Sequence, residues 1–263
     1  MVSIEFLVER EDKIVFILKD ASPALVNSIR RAMKSLVPVL AIDYVDFYVN
    51  SSFFYDEIIA HRLAMIPIKT EPGRFKMPKD CSCEGVGCPN CQISFRLNVE
   101  GPRIVYSGDF VSDDPDVHFV YKDIPVLELF SGQQLMIEAV ARLGIGKEHS
   151  KFQPVSVCYY KIIPRIEIGE KCNLCGECVS ICPRKVFSLD GKIKVSNPLD
   201  CSLCMECVKI CEAKAIKIVE TDDYLFLAES TGAMPAKEVL RQALFILKGK
   251  AENFKKMLEE LNV

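Results

Sequence analysis

Apolar and polar residues alternate at the start of the chain, with Ile4, Phe6 and Val8 followed, across a polar turn at Glu11 and Asp12, by Ile14, Phe16 and Leu18. A period of two turns one face toward a core, so this stretch predicts a β-hairpin. The period then lengthens: Ser22-Pro23 supplies an N-cap and a proline at the first helical position, and Leu25, Ile29, Met33 and Leu36 recur at helical spacing until Pro38. The other side of that amphipathic helix carries Arg30, Arg31 and Lys34, which is either a solvated face or a contact surface for an acidic partner. Residues 39–49 are β-branched and aromatic, as in a strand, and residues 57–66 predict a short helix stopped by Pro67.

Strand-like segments follow at 93–99, 104–106 and 118–120, and the run Gly132-Gln133-Gln134-Leu135-Met136-Ile137-Glu138-Ala139-Val140-Ala141-Arg142-Leu143 predicts a helix from near Ser131 to Gly144. Val186, Phe187 and Leu189 lead through Asp190-Gly191 to Ile193 and Val195, a two-residue hairpin signal. A strand at 224–228 precedes a helix opened by Pro235 and running to the end of the chain. In it Leu240, Leu247, Phe254 and Leu261 stand seven apart, and Leu244, Ala251 and Leu258 form a second such series. The two series make a heptad seam, broader than one hairpin would cover, so the seam is expected to pack on a partner helix.

At 263 residues, 49% hydrophobic and 26% charged, the composition is that of an ordinary globular protein with two or three domains. No apolar run is long enough to span a bilayer and the first residues lack a signal-peptide core, so a soluble cytoplasmic protein is expected. A formal net charge of −3 supplies no excess of cations for a phosphate backbone, which argues against direct nucleic-acid binding as the main role. The acidic stretch around Asp113, Asp114, Asp116 and Asp123 reads as a solvated face. Gly144, Gly146 and Lys147 lack the spacing of a phosphate loop, and no dinucleotide fingerprint is present.

The cysteines carry the candidate chemistry. Eight of them fall in two copies of one spacing, Cys172, Cys175, Cys178, Cys182 and Cys201, Cys204, Cys207, Cys211, and Leu174, Glu177, Val179, Ile181 and Lys185 recur as Leu203, Glu206, Val208, Ile210 and Lys214. Cubane clusters need soft thiolates on a tight loop, and this spacing supplies three local ligands and one remote one. By similarity to two-cluster ferredoxins, one cluster would take Cys172, Cys175, Cys178 and Cys211, and the other Cys201, Cys204, Cys207 and Cys182. Zinc ligation or disulfide pairing is the alternative. The copies differ at Gly176 against Met205 and at Pro183 against Glu212, so one or two clusters of 4Fe-4S or 3Fe-4S type are compatible with the sequence. Cys81, Cys83, Cys88 and Cys91 lie on a glycine-bearing loop that could close a structural zinc tetrahedron, or form two local disulfides. Cys158 stands alone and reads as a buried structural thiol.

Residues 25–33 (LVNSIRRAM), 39–43 (VLAID), 60–68 (AHRLAMIPI) and 146–154 (GKEHSKFQP) closely resemble the alpha-type subunits of multisubunit RNA polymerases. With the iron-sulfur insertion, the resemblance is to the archaeal D subunit, counterpart of the third-largest subunit of eukaryotic RNA polymerase II. It implies an α+β fold in which a dimerisation domain is assembled from 1–46, 156–165 and 221–263, with an insertion domain at 47–155 and a ferredoxin-like domain at 166–220. It further implies a non-catalytic platform that pairs with the small L subunit and then docks the large B and A subunits and the small N and P subunits. Under the resemblance, Arg30 and Arg31 face the large subunits, His61 and Arg62 support that surface, and His149 and Lys151 lie on a loop toward the catalytic subunits. Leu240, Leu244, Leu247, Phe254, Leu258 and Leu261 belong to the helix that crosses the partner's. The Cys81 to Cys91 loop matches one that binds zinc in the eukaryotic counterpart, with the Cys83 to Cys88 interval one residue longer here. A ferredoxin-like electron-transfer subunit of an oxidoreductase is the competing class, since cluster ligation alone does not specify a role.

Overall fold

The computed structural model describes residues 2–261, and its chain clusters into two compact units. The first gathers the chain start as far as Glu9 with Val15–Asn27 and Tyr159–Leu227, and the second Arg10–Ile14, Ser28–Cys158 and the segment from Ala228 onward. Both are α+β, built on antiparallel sheets.

The opening period of two becomes β1 (Ser3–Glu9) and β2 (Lys13–Lys19), and on β2 Ile14, Phe16 and Leu18 are fully buried. Helix α1 (Pro23–Ser35) begins as its cap predicts: the Ser22 hydroxyl accepts the Leu25 N–H at 3.3 Å, and Val26, Ile29, Ala32 and Met33 form the buried stripe. Strand β3 (Val39–Asn50) follows, bulged between Ile42 and Tyr44 and again between Phe47 and Val49, and then comes α2 (Asp56–Ala64).

The next strands are β4 (Gln92–Glu100), β5 (Arg103–Tyr106), β6 (Val111–Ser112), β7 (Pro125–Leu129) and β8 (Gln134–Gly144). The last corrects the predicted helix at 131–144. Its residues favour helix by composition, but β8 lies between β3 and β4 in a sheet of order β3-β8-β4-β6 and is hydrogen-bonded on both sides. Leu135, Ile137, Ala139 and Ala141 alternate into the core, a period of two hidden in the sequence by the equally apolar Met136 and Val140 between them. Pairing on two edges outweighs intrinsic preference of a few tenths of a kcal/mol per residue. Ile93, Phe95 and Leu97 of β4 join those residues, with Ile59 and Leu63 of α2, in one apolar cluster. Of the strand expected at 118–120, only an isolated bridge between Ile68 and Phe119 forms.

The cysteine repeat follows β9 (Val155–Ile162) and lies between two paired short strands, β10 (Arg165–Ile168) and a later partner. Within it come α3 (Glu177–Ile181), the hairpin β11 (Phe187–Asp190) and β12 (Lys192–Val195), α4 (Glu206–Lys209) and β13 (Ile216–Val219). Strand β13 pairs with β10, joining Arg165 to Val219 and Ile168 to Ile216, so the module is tied at both its ends. The hairpin pairs Leu189 with Ile193 and Asp190 with Lys192, so it pivots on Gly191 at φ +65° rather than on the two-residue Asp-Gly turn the sequence predicts.

Strand β14 (Tyr224–Ser230) completes a four-stranded sheet of order β1-β2-β14-β9, in which the Phe16 and Phe226 rings stack at 4.9 Å. The chain then enters α5 (Ala236–Glu260), 25 residues long.

Candidate metal centres

Each cysteine copy follows the same backbone path. Leu174 and Leu203 sit at φ +60° and +58°, and Lys185 and Lys214 at +51° and +50°. Leu174 and Leu203 curl the loops that carry the three local sulfurs of each copy, and Lys185 and Lys214 turn the chain just after the remote cysteine, at a conformational cost that a non-glycine residue bears only under strong constraint. At the third such position the copies differ, Gly176 at +81° against Met205 at +64°, the more strained residue being the methionine.

Cys172, Cys175, Cys178 and Cys211 line one cavity, and Cys201, Cys204, Cys207 and Cys182 line another. The remote cysteine of each copy therefore stands in the cavity of the other. Each remote sulfur accepts a backbone N–H, Cys182 Sγ from Val186 at 3.4 Å and Cys211 Sγ from Ala215 at 3.3 Å. Burial pushes the Cys178 thiol up and the Cys207 thiol up to about 11, and neighbouring sulfurs add to the shift. In each cavity four sulfurs converge and one, Cys178 or Cys207, resists ionising alone, a donor set that fits a cationic iron core, which stabilises thiolates collectively. The cysteines themselves form much of the module's interior: Cys178, Cys201 and Cys207 share one small cluster with Val186, Phe187, Ile193 and Ile216.

The second thiol group lies between α2 and β4. Cys81, Cys83, Cys88 and Cys91 place their sulfurs within 4.8 Å of one another, with Cys81 to Cys88 and Cys83 to Cys91 at 3.5 Å and Cys88 to Cys91 at 3.8 Å. A tetrahedron with Zn–S arms of about 2.3 Å has edges of about 3.8 Å, so this donor set fits zinc. Gly85 at φ +83° and Gly87 at +114° make the reversal possible, and a side chain at Gly87 would meet that of Gln92. The backbone N–H of Gly87 is the chief influence that brings the Cys83 thiol down to about 6, while burial pushes Cys91 up to about 12. One sulfur is thus ready as a thiolate, and a metal would have to displace the proton of Cys91.

Arg31 is exposed on α1 and Arg30 half-buried. His61 and Arg62 are exposed on α2, the Arg62 guanidinium 5.9 Å from the Phe54 ring centre. Lys151 is turned inward: its ammonium donates to Asp43 at 2.8 Å and to the Ile42 carbonyl at 3.0 Å, making it a tie between segments. His149 Nδ1 accepts the Lys151 N–H at 3.1 Å, the hydrogen-bonded state expected of a histidine without neighbouring ligands. Cys158 is a partly buried thiol, pushed by burial to about 11. Asp43 had only its place in a motif to suggest its part, and the i, i+108 distance to Lys151 gave no local signal. The seam on α5 divides: Leu240 is 3% exposed and Leu244 and Leu247 are half-buried, whereas Phe254 is 62% and Leu261 68% exposed.

A sheet-and-helix insertion bearing a thiol loop, followed by a crossed eight-cysteine module, defines the alpha-type polymerase subunits that carry a dicluster insertion. Residues 45–159 match the RNA polymerase Rpb3/RpoA insert domain, and residues 165–212 a 4Fe-4S dicluster domain. The chain is 65% identical over 262 residues to DNA-directed RNA polymerase subunit Rpo3 of Archaeoglobus fulgidus, with 99% of each chain covered. It is 44% identical to the subunit of that name from Methanothermobacter thermautotrophicus, over 94% of this chain and 95% of the other, and 34% identical to that of Pyrococcus furiosus, over 99% and 98%. The chain belongs to the Rpo3 family of DNA-directed RNA polymerase subunits.

Proposed function

We propose that this chain is the D-type, non-catalytic assembly platform of a cytoplasmic DNA-directed RNA polymerase. Full-length similarity to Rpo3 subunits supports membership of that enzyme, and the divided α5 seam carries the platform role. A helix with Val239, Leu240 and Ala243 buried near its start while Phe254, Met257 and Leu261 stand exposed farther along has an apolar surface to offer a second chain. The small L subunit is assigned to that surface, through Leu244, Leu247, Phe254, Leu258 and Leu261, with Leu240 anchoring the helix. Arg30 and Arg31 are assigned to docking the large B and A subunits, with N and P joining the assembly. Nucleotide addition belongs to the large subunits. Segments 1–46, 156–165 and 221–263 form the dimerisation domain in this reading, 47–155 the insertion domain and 166–220 the ferredoxin-like domain.

The eight cysteines of the repeat are assigned to two iron-sulfur clusters in crossed ligation, and the loop cysteines to one zinc. The clusters brace a module too small to fold on apolar burial alone. Co-expression with the small subunit tests the platform: the native pair co-elutes, and the double substitution Phe254→Glu with Leu261→Glu abolishes co-elution while leaving the chain's own melting temperature unchanged, since both positions are exposed. Retention of the pair by that variant would reject the assigned surface.

A further inference from the structure

We propose that the two cluster sites are electrostatically unequal and that Arg184 directs the first electron to the cluster held by Cys182, Cys201, Cys204 and Cys207. This rests on the two-cluster reading above. The cavities are alike in cysteine spacing and in volume, ≈ 20 Å³ each, so any inequality comes from the other residues that line them.

Arg184 and Glu206 are the charged residues of the second-copy cavity. Lys209 Nζ lies 2.6 Å from Glu206 Oε1, so that carboxylate is neutralised and the guanidinium charge is left over. Around the other cavity the charged lining residue is Glu177. In the repeat Ser180 occupies the position of Lys209 and bonds the Glu177 carbonyl at 2.9 Å, while the position of Arg184 is taken by Ala213. The cavity with an unbalanced cation thus faces one with an unbalanced anion. Lys171 and Asp200, each directly before the first cysteine of its copy, have the reverse order of sign, but neither lines a cavity nor, as Lys209 does, forms an ion pair with a residue that does.

A second difference has the same direction. Asn173 Oδ1 accepts the Cys175 N–H at 3.3 Å, which withholds that donor from cluster sulfur, and the second copy has Ser202 at this place. Reduction adds one negative charge to a cubane, so a lining cation and free N–H donors favour it, and a carboxylate opposes it. In the step itself a low-potential one-electron donor is oxidised and one cluster core gains the electron, with no bond formed or broken. Arg184, Glu206 and Glu177 are all exposed, so salt screens the inequality and narrows it.

The test is an anaerobic redox titration of the full chain with dithionite, followed by electron paramagnetic resonance, after iron and sulfide analysis. The native chain is expected to carry iron and sulfide for two cubanes and to show two midpoints, the upper one falling as ionic strength rises. Arg184→Gln lowers the upper midpoint and leaves the lower in place, Arg184→Lys keeps the native value, and Ala213→Arg raises the lower midpoint. Full iron with an upper midpoint indifferent to Arg184→Gln overturns this proposal alone. Iron for a single cubane overturns the two-cluster reading and the proposal with it.

Discussion

The two cysteine regions solve the same problem in opposite ways. The loop from Cys81 to Cys91 assembles four sulfurs from eleven consecutive residues, using two glycines in the left-handed region to fold back on itself. The module at 166–220 exchanges a cysteine between its copies, Cys182 lining the cavity of the second and Cys211 that of the first, so neither cavity is complete until both copies have folded. Local ligation makes a staple on a sheet that already has a core of Ile93, Phe95, Leu97 and their neighbours, whereas crossed ligation makes the ligands part of the core itself. Loss of metal is therefore expected to be a local event in the first region and a cooperative one in the second.

The largest effect should follow removal of the clusters. Structural metal sites contribute on the order of 10 kcal/mol to small domains that lack cores of their own. Oxidative removal of iron in the presence of a chelator should open residues 166–220 to proteolysis while the amides of β3, β4 and β8 remain protected from hydrogen exchange. Uniform protection after iron loss would show that the module has a sufficient apolar core.

Next in size is a single remote ligand. Cys182→Ser, in the first copy, should eliminate the cluster whose other ligands are Cys201, Cys204 and Cys207, and the cleanest check is the electron paramagnetic resonance of the site that survives. If instead the signal lost belongs with Cys172, Cys175 and Cys178, ligation is not crossed.

Cys91→Ser in the loop should remove zinc, measured by atomic emission, and lower the melting temperature without unfolding the insertion domain. Zinc affinity should also rise with pH, because Cys91, pushed up to about 12 by burial, must give up its proton on binding. The smallest effect is expected from Gly85→Ala, where φ of +83° makes any side chain costly by about 1 kcal/mol while the nearest atom, the Pro78 carbonyl oxygen at 3.7 Å, leaves space. A calorimetric shift well beyond that size would mean that the loop is coupled to more than its own metal.

Much of this was legible along the chain, because periodicity, caps and thiol spacing are local properties. Ser22-Pro23 announced α1, the alternation of β2 announced its buried face, and the two copies of the cysteine spacing announced two thiol-lined sites. The failures share a cause. The β8 residues favour helix in isolation, and only hydrogen bonds to β3 on one side and β4 on the other make them a strand. Likewise Lys151 is an interior tie because the fold brings Asp43 to it, and of the heptad seam Leu240 alone is core among the described residues, because the beginning of α5 is buried.

The amino-acid sequence by itself determined which groups are available: which thiols can bind soft metals, which helix bears an apolar stripe, and where the repeat's two copies differ in charge. Tertiary structure decided how those groups were distributed, placing Cys182 and Cys211 in each other's cavities, Arg184 at one cavity and Glu177 at the other, and Phe254 in the open while Leu240 is buried. The division has a physical reason: ligand type and hydrophobicity are properties of a side chain, whereas ligation, burial and local field depend on distances between residues that the chain separates and only folding brings together.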